Sequence, residues 1–170
     1  MTITKANSTD IPQLVQLLNS AYRGEISNKG WTTESHLIGG DVRTDIKTVA
    51  EVLGIEGSVI LKCTDENNTI IGTVNLQKHD QKLYLGMFAV SPLYQGKGTG
   101  KQLLKAAELY AIEAACTSIY MTVISVRFEL INWYKRYGYK ETGERKPFLE
   151  DGLTGNHLQP LEFAVLEKAI

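Results

Sequence analysis

The sequence predicts a mixed α/β fold with a mostly antiparallel central sheet of about six or seven strands and about four or five flanking helices. Three strand patterns lie close together between residues 58 and 90, and the links between them are too short for a crossover helix, so they predict an antiparallel meander. A long helical pattern then leads to a strand rich in β-branched residues at 118–125. A strand, helix and strand in this order predict one parallel step in the sheet.

Each element follows from the spacing of its apolar residues and from the residues at its ends. Ser8–Asp10 offers N-cap candidates for the first helix, and Pro12 suits its first turn. Gly54 and Gly138 are typical of residues at helix ends. The predicted elements are, in chain order, a strand at Thr2–Ala6, a helix from Ile11 that ends at Gly24, short helical patterns at Thr33–Ile38 and Asp45–Leu53, strands at Ser58–Thr64, Thr69–Lys78 and Lys82–Val90, a long helix opened by Gly96–Gly100, a strand at Ser118–Ser125, a helix at Glu129–Tyr137, and closing strands at Tyr139–Glu144 and Leu161–Glu167.

Composition limits the class of protein. The 170 residues weigh 18.9 kDa, the size of about one domain, and the formal charge of −1 excludes the strongly basic surface typical of nucleic-acid binding. Cys63 and Cys116 belong to no CxxC pair, and the apolar run Leu83–Val90 is too short to span a bilayer. The first residues contain no apolar signal segment. We therefore expect a single-domain cytoplasmic protein over residues 1–170, with no metal and no nucleic-acid or membrane partner.

The most informative segment joins the strand that ends at Val90 to the long helix. Pro92 prevents the strand from continuing, and Gly96–Gly100 holds three glycines within five residues. Free backbone N–H groups at such a helix start, together with the helix dipole, form an anion site. Lys97 and Lys101 add positive charge beside it.

Two common phosphate-binding loops do not fit this segment. A Walker loop fails because Gln95 and Gln102 stand where it needs a glycine and a Ser or Thr, and GxGxxG lacks its third glycine. The remaining pattern, Gln95-x-x-Gly98-x-Gly100, resembles the acyl-CoA pyrophosphate motif, [Gln/Arg]-x-x-Gly-x-[Gly/Ala], of the GNAT superfamily of N-acetyltransferases. A glycine-rich turn without a ligand is the alternative.

A second segment carries the same resemblance. Tyr134, Gly138 and Tyr139 match the later family pattern Tyr-x-x-x-Gly-[Phe/Tyr], and the order and spacing of the elements fit over about residues 58–145. The resemblance extends to Gly30–Glu34 and Thr142–Glu144, and these two segments suggest a bacterial branch of the family.

The resemblance implies a GNAT-like fold and an N-acetyltransferase that transfers an acetyl group from acetyl-CoA to a primary amine of a small molecule or peptide. A backbone N–H of the strand would hold the thioester carbonyl, and the Tyr134 hydroxyl would donate a hydrogen bond to the departing thiolate. Packing beside Trp133 and Tyr137 is the alternative for Tyr134. The residues that the resemblance assigns to the cofactor are Phe88, Ala89, Val90, Gln95, Gly96, Lys97, Gly98, Thr99, Gly100 and Lys101.

Two positions depart from the family pattern. Arg127 stands where the family often has an asparagine that contacts the cofactor, and a contact with a phosphate is an alternative role for it. Tyr84 stands in the register of the glutamate that many relatives carry before the pyrophosphate loop. Glu25, Glu34 and Glu129 are therefore the candidates for a base, acting through a water chain, with exposed surface carboxylates as the favoured alternative.

The glycine-rich insert at residues 24–57 is expected to form a wall of the acceptor site through Glu25, Trp31 and Glu34. Arg43 either binds a carboxylate of the acceptor or pairs with a neighbouring aspartate. The mixed charge of the insert argues against a polyanionic acceptor. The three histidines, at 36, 79 and 157, are isolated and are expected in loops or at the surface. A non-catalytic acyl-CoA-binding module is the alternative function, and the chain is expected to be a monomer or a homodimer.

Overall fold

One seven-stranded sheet runs through the computed structural model, which describes residues 1–170. Its strands lie in the order β1-β2-β3-β4-β5-β7-β6. The strands are β1 (Thr2–Lys5), β2 (Ser58–Thr64), β3 (Ile70–His79), β4 (Lys82–Val90), β5 (Ser118–Ile124), β6 (Lys140–Phe148) and β7 (Leu161–Ala169). The helices are a 3₁₀ turn at Ser8–Asp10, α1 (Ile11–Tyr22), α2 (Gly24–Ser27), α3 (Ile46–Gly54), α4 (Thr99–Glu113) and α5 (Phe128–Arg136).

The predicted fold class is confirmed. The pair β4–β5 is parallel, and every other neighbouring pair in the sheet is antiparallel. The strands β2 and β4 have the predicted bounds, and α4 begins in the predicted glycine-rich turn. The local patterns therefore predict both the strands and the single parallel step.

The structure corrects the prediction at several element ends. Thr33–Ile38 forms only one turn, in which the Leu37 and Ile38 amides both donate to the Glu34 carbonyl. Ile38 then forms a β-bridge with His157, so the helix does not continue. The first helix ends at Tyr22, and Gly24, whose φ is +72°, begins the separate α2. The first helical turn is capped by Asn7 rather than by the residues after it. β6 extends to Phe148 because β7 pairs with it that far.

The two faces of the sheet carry two apolar cores. α4 and α5 pack on one face, and α1 and α3 pack on the other. β2 contributes to both cores because its side chains alternate between the faces of the sheet. Leu61 belongs to the first core, under α4 and α5, and Ile60 belongs to the second core, under α1 and α3. The approach of α4 is close, since a Cβ at Gly72 would lie 2.9 Å from a Leu103 methyl carbon. None of these helices combines the length and apolar character needed to cross a membrane.

The parallel pairing of β4 and β5 stops soon after it begins. The two strands are paired from Lys82–Ser118 to Tyr84–Tyr120, and the register gives no pair beyond that point. β4 also carries an extra residue opposite β3 just after Gly86, where Met87 adopts a φ of +48°. A bulge of this kind bends the strand away from its neighbour. The C-terminal half of β4 is therefore open on the β5 side.

Replacing Leu103 with alanine tests the packing of α4 on the sheet. Leu103 is fully buried in the first core, so the substitution should lower the free energy of unfolding by about 2–5 kcal/mol. Leu109→Ala on the exposed side of the same helix is the matched control and should change it by less than about 0.5 kcal/mol. Urea denaturation measures both values, and equal losses would contradict this arrangement.

Candidate active site

A cleft of about 260 Å³ lies where β4 ends, between the glycine-rich loop before α4 and the helix α5. We refer to it as the loop cleft. Its floor is the Phe88–Val90 end of β4, one side is the loop at residues 94–101, and the other side is formed by Trp133 and Tyr134 of α5. All the residues that the sequence predicts as cofactor-binding lie on or beside this cleft, although Lys97 and Thr99 do not line it.

The loop at residues 94–101 presents backbone rather than side chains to the cleft. Gly96 and Gly98 have φ values of +80° and +85°, and a Cβ at either would meet no atom within 4 Å. Gly98 is the N-cap of α4, so the first amides of that helix have no partner inside the helix. The exposed Lys97 and Lys101 flank these amides. Open space, unpaired amides and positive charge together suit an anion.

Gln95 joins this loop to the insert. Its side-chain oxygen accepts a hydrogen bond from the Trp31 amide, and its nitrogen donates to the Val90 carbonyl at 3.1 Å. A Cβ at Gly30 would lie 2.5 Å from the same oxygen, so a larger residue there would require the Gln95 side chain to shift. The structure therefore gives Gln95 a role in holding the insert over the cleft.

An aromatic wall closes the far side of the loop cleft. The Trp133 ring lies 6.4 Å from Trp31, 6.0 Å from Phe88 and 4.8 Å from Tyr137, centre to centre. Trp31 is 51% exposed, so its ring leaves a free face at the mouth of the cleft. The sequence pattern predicts Trp133 only as a packing neighbour of Tyr134, because an indole on an amphipathic helix more often belongs to the core.

A second cavity of about 390 Å³ lies on the other side of β4, in the opening between β4 and β5. We refer to it as the strand cavity. The two cavities share a small set of lining residues: Tyr22, Phe88, Arg127, Leu130 and Tyr134. The end of β4 therefore separates two spaces that meet beside the Tyr134 side chain.

Tyr134 lies in α5 at this junction and is only 4% exposed. Burial is the largest effect that raises its pKa well above the ordinary value, the nearby Tyr22 adds to the rise, and Arg127 opposes it. The phenol is therefore protonated at neutral and moderately alkaline pH, so its hydroxyl is available there as a hydrogen-bond donor.

Tyr22, at the end of α1, fixes the other side of the junction. Its hydroxyl donates a hydrogen bond to the Phe88 carbonyl. The guanidinium carbons of Arg43 and Arg127 lie 5.2 and 5.9 Å from the centre of its ring. The helical spacing predicts Tyr22 only as part of the apolar face of a helix, and no local pattern distinguishes it from a core residue.

A buried ion network anchors the insert beneath the site. Glu34 accepts hydrogen bonds from Arg23 and from Arg127, the latter at 2.9 Å, and Arg127 also donates to the Thr32 hydroxyl. Glu34 is 6% exposed, so the favoured interpretation of an exposed surface carboxylate is wrong for this residue. Arg127 is also buried, and these hydrogen bonds hold its guanidinium within the network.

The other candidates lie apart from the junction. Glu25 is exposed and lines neither cavity, and Glu129 is exposed with a carboxylate oxygen 3.0 Å from the Thr32 hydroxyl. Tyr84 lines the strand cavity, with its ring 5.4 Å from that of Tyr120.

His36 and His79 are exposed, as predicted, and the half-buried loop residue His157 packs on Phe148. No three His, Cys, Asp or Glu side chains gather in a possible metal site.

Comparison with known proteins defines the class. The sequence profile of the acetyltransferase (GNAT) family matches residues 13–139. The match covers most of the chain and spans α1, the strands β2 to β5, the loop and α5. The protein belongs to the GNAT acetyltransferase family, and the resemblance based on the two sequence motifs is confirmed.

Individual relatives are more distant. The spermine/spermidine N(1)-acetyltransferase of Bacillus subtilis is 37% identical over 68 residues, which span 37% of this chain and 42% of that enzyme. The ribosomal-protein-alanine N-acetyltransferase from Brucella melitensis covers 100% of both chains with a TM-score of 0.74 and 17% identity. A Salmonella typhimurium protein solved with its cofactor acetyl-CoA covers 99% of this chain and 93% of its own, with a TM-score of 0.70 and 19% identity. These structures share the fold.

Replacing Glu34 with glutamine tests the buried ion network. The substitution removes the carboxylate that compensates Arg23 and Arg127, so the free energy of unfolding should fall by about 3–5 kcal/mol. Glu141→Gln breaks an exposed pair with Lys135 and should cost less than about 1 kcal/mol. Urea denaturation at neutral pH measures both, and a small loss in the Glu34 variant would contradict the network.

Proposed function

We propose that the protein transfers an acetyl group from acetyl-CoA to a primary amine of a small molecule or peptide, by direct attack within a ternary complex. The observation that carries this proposal is the meeting of the loop cleft and the strand cavity at the end of β4, beside the Tyr134 side chain. Two substrates that enter from opposite sides can react only where the spaces join. We further propose that residues 1–170 act as one domain in the cytoplasm, as a monomer or homodimer.

The loop at residues 94–101 fits the diphosphate of coenzyme A. The amides at the start of α4 offer several donors, and a charge-assisted hydrogen bond contributes about 1.5–3 kcal/mol. The space beside Gly96 and Gly98 is where a side chain would otherwise stand. Lys97 and Lys101 supply mobile positive charge at the same place.

The open half of β4 suits the thioester. Acetyl-CoA supplies an activated acyl group and a thiolate leaving group. Because β4 and β5 separate after Tyr84, backbone groups of the Phe88–Val90 end face the cleft instead of a partner strand. A backbone N–H there can donate to the thioester carbonyl as negative charge develops on its oxygen. The Tyr22 hydroxyl steadies this segment through the Phe88 carbonyl.

Tyr134 assists the departing sulfur as a hydrogen-bond donor. Full proton transfer from a phenol, whose ordinary pKa is about 10, to a thiolate of about 8.5 is uphill by roughly 2 kcal/mol. Burial raises the pKa of Tyr134 and makes the transfer less favourable still. The hydroxyl therefore stabilises the thiolate without becoming ionised itself.

No carboxylate at the junction is free to act as a base. Glu34 is held by two guanidinium groups, and Glu25 lies outside both cavities. An amine with a pKa near 10.4 is neutral in only about one part in a few thousand at pH 7. The apolar part of the strand cavity, which includes Met87 and Phe163, favours the neutral form by excluding water.

Gly98→Asp tests the phosphate loop. The variant places a negative charge beside the α4 amides and should abolish the rise in melting temperature that acetyl-CoA produces in the parent protein. Asn has nearly the same shape, carries no charge and tolerates positive φ, so Gly98→Asn is the matched control and should keep part of the rise. Full stabilisation of the Asp variant in a thermal-shift assay would reject the loop as the phosphate site.

Tyr134→Phe tests the chemistry separately from binding. Thiol release from acetyl-CoA, assayed over a panel of amines, should fall about tenfold or more, while the affinity for acetyl-CoA stays nearly unchanged. Tyr110→Phe makes the same change on α4 away from both cavities and should leave the rate as it was. An unchanged rate for Tyr134→Phe would remove this residue from the mechanism. Binding of acetyl-CoA without thiol release from any amine would identify a non-catalytic acyl-CoA-binding module.

A further inference from the structure

The charges around the strand cavity are unevenly matched. Three guanidinium groups line it, those of Arg23, Arg43 and Arg127, against two carboxylates, those of Glu34 and Asp151. Glu34 is shared between Arg23 and Arg127. Arg127 also lies 3.7 Å from the carboxylate of Glu129 outside the cavity, so the positive charge that no carboxylate compensates is that of Arg43.

Arg43 is the arginine without a partner. Its guanidinium forms no ion pair and donates no hydrogen bond, and it lies over the face of the Tyr22 ring. The alternative that the sequence left open, pairing with a neighbouring aspartate, is not formed, since only the Arg43 backbone amide is engaged, by Asn19. An aromatic face holds a guanidinium in place while leaving its N–H groups free.

The next residue in the chain, Thr44, carries a second unpaired donor. Thr44 is 3% exposed, lines the same cavity, and its hydroxyl oxygen has no hydrogen-bond partner. A buried polar atom without a partner is rare in a native protein and is often completed by a bound group. Asp151 differs, because its carboxylate already accepts hydrogen bonds from the Leu153 and Thr154 amides and from the Thr154 hydroxyl.

Apart from these charged groups, apolar residues predominate among those that line the strand cavity. They include Met87, Ile124, Phe148, Leu153 and Phe163. A ligand that matches the whole cavity therefore has one anionic group and an apolar body. Tyr22 lies between Arg43 and the end of β4, since its ring packs against Arg43 and its hydroxyl donates to the Phe88 carbonyl. One tyrosine side chain thus separates the guanidinium from the proposed position of the thioester. A ligand whose carboxylate lies close to its amine fits this separation.

We propose that the acceptor is a free α-amino acid with an apolar side chain, its carboxylate bound by Arg43 and Thr44, an inference that rests on the proposed function. The guanidinium donates to the carboxylate, the Thr44 hydroxyl donates to the same group, and the α-amino group lies towards Tyr134. A polyamine, the acceptor named for the Bacillus subtilis relative, carries several positive charges and is opposed by the unpaired Arg43.

Matched acceptors test this assignment in the parent protein. Leucine, methionine and phenylalanine are each compared with their carboxamides, and spermidine and a short peptide complete the panel. The carboxamide removes the anion and also lowers the basicity of the amine, so intrinsic reactivity favours the amide. Thiol release should nevertheless give a kcat/KM at least tenfold higher for the best amino acid than for its amide. Equal or higher values for the amide, spermidine or the peptide would overturn the assignment and leave the acetyltransferase activity standing.

The variant Arg43→Gln identifies the group that binds the carboxylate. It should raise KM for the amino acid at least tenfold with little change in kcat, and it should remove the preference over the amide. Lys47→Gln removes a charge from the exposed start of α3, outside both cavities, and should leave both constants unchanged. An Arg43→Gln protein that keeps the preference would overturn the role of Arg43.

A binding measurement separates this assignment from catalysis. Calorimetry is carried out on the parent protein in the presence of coenzyme A. The dissociation constant of N-acetyl-leucine, an anion, should be at least tenfold lower than that of neutral N-acetyl-leucinamide. Stronger binding of the anion without thiol release from any amine would support the carboxylate site and reject the catalytic proposal. Equal binding of the two compounds would reject the carboxylate site even if thiol release is found.

Discussion

The early separation of β4 from β5 is the constraint on which the rest of the site depends. Parallel pairing ends at Tyr84 and Tyr120, and the bulge at Met87 turns the end of β4 away from its neighbour. If β4 and β5 were paired along their whole length, the N–H and C=O groups of β4 would be hydrogen-bonded within the sheet, and no space would remain beside the strand. The opening places Phe88, near the end of β4, in the lining of both the loop cleft and the strand cavity.

The glycine-rich insert is held in place by charge rather than by regular structure. Only α2 and α3 are helical within residues 24–57, yet Glu34 is buried between Arg23 and Arg127. Ion pairs inside a protein stabilise only when each charge is well compensated, and here a single carboxylate serves two guanidinium groups. The same network brings Trp31 and Thr32 to the edge of the loop cleft, so that stability and site geometry depend on the same contacts.

The loop cleft and the strand cavity present different charged and polar groups. The loop cleft presents backbone amides and exposed lysines, a setting that suits a mobile, strongly solvated diphosphate. The strand cavity instead places a guanidinium on an aromatic face among apolar side chains, where a single charge is stronger because less water screens it. Tyr22 and Tyr134 belong to both spaces and carry hydroxyl groups whose pKa burial raises.

The sequence by itself determined the strands, the long helix, the parallel step and the glycine-rich loop, because apolar periodicity, glycine spacing and helix-end residues act over a few neighbours. The two motifs also located Tyr134 and the family. Only the tertiary structure decided that Glu34 is buried rather than solvated, that Tyr22 supports β4, and that Arg43 has no partner. Glu34 and Arg127 are 93 residues apart, and Tyr22 and Phe88 are 66 apart. A charged or aromatic residue has the same local pattern whether its distant partner exists or not, so its role is fixed only when the folded sheet brings the two together.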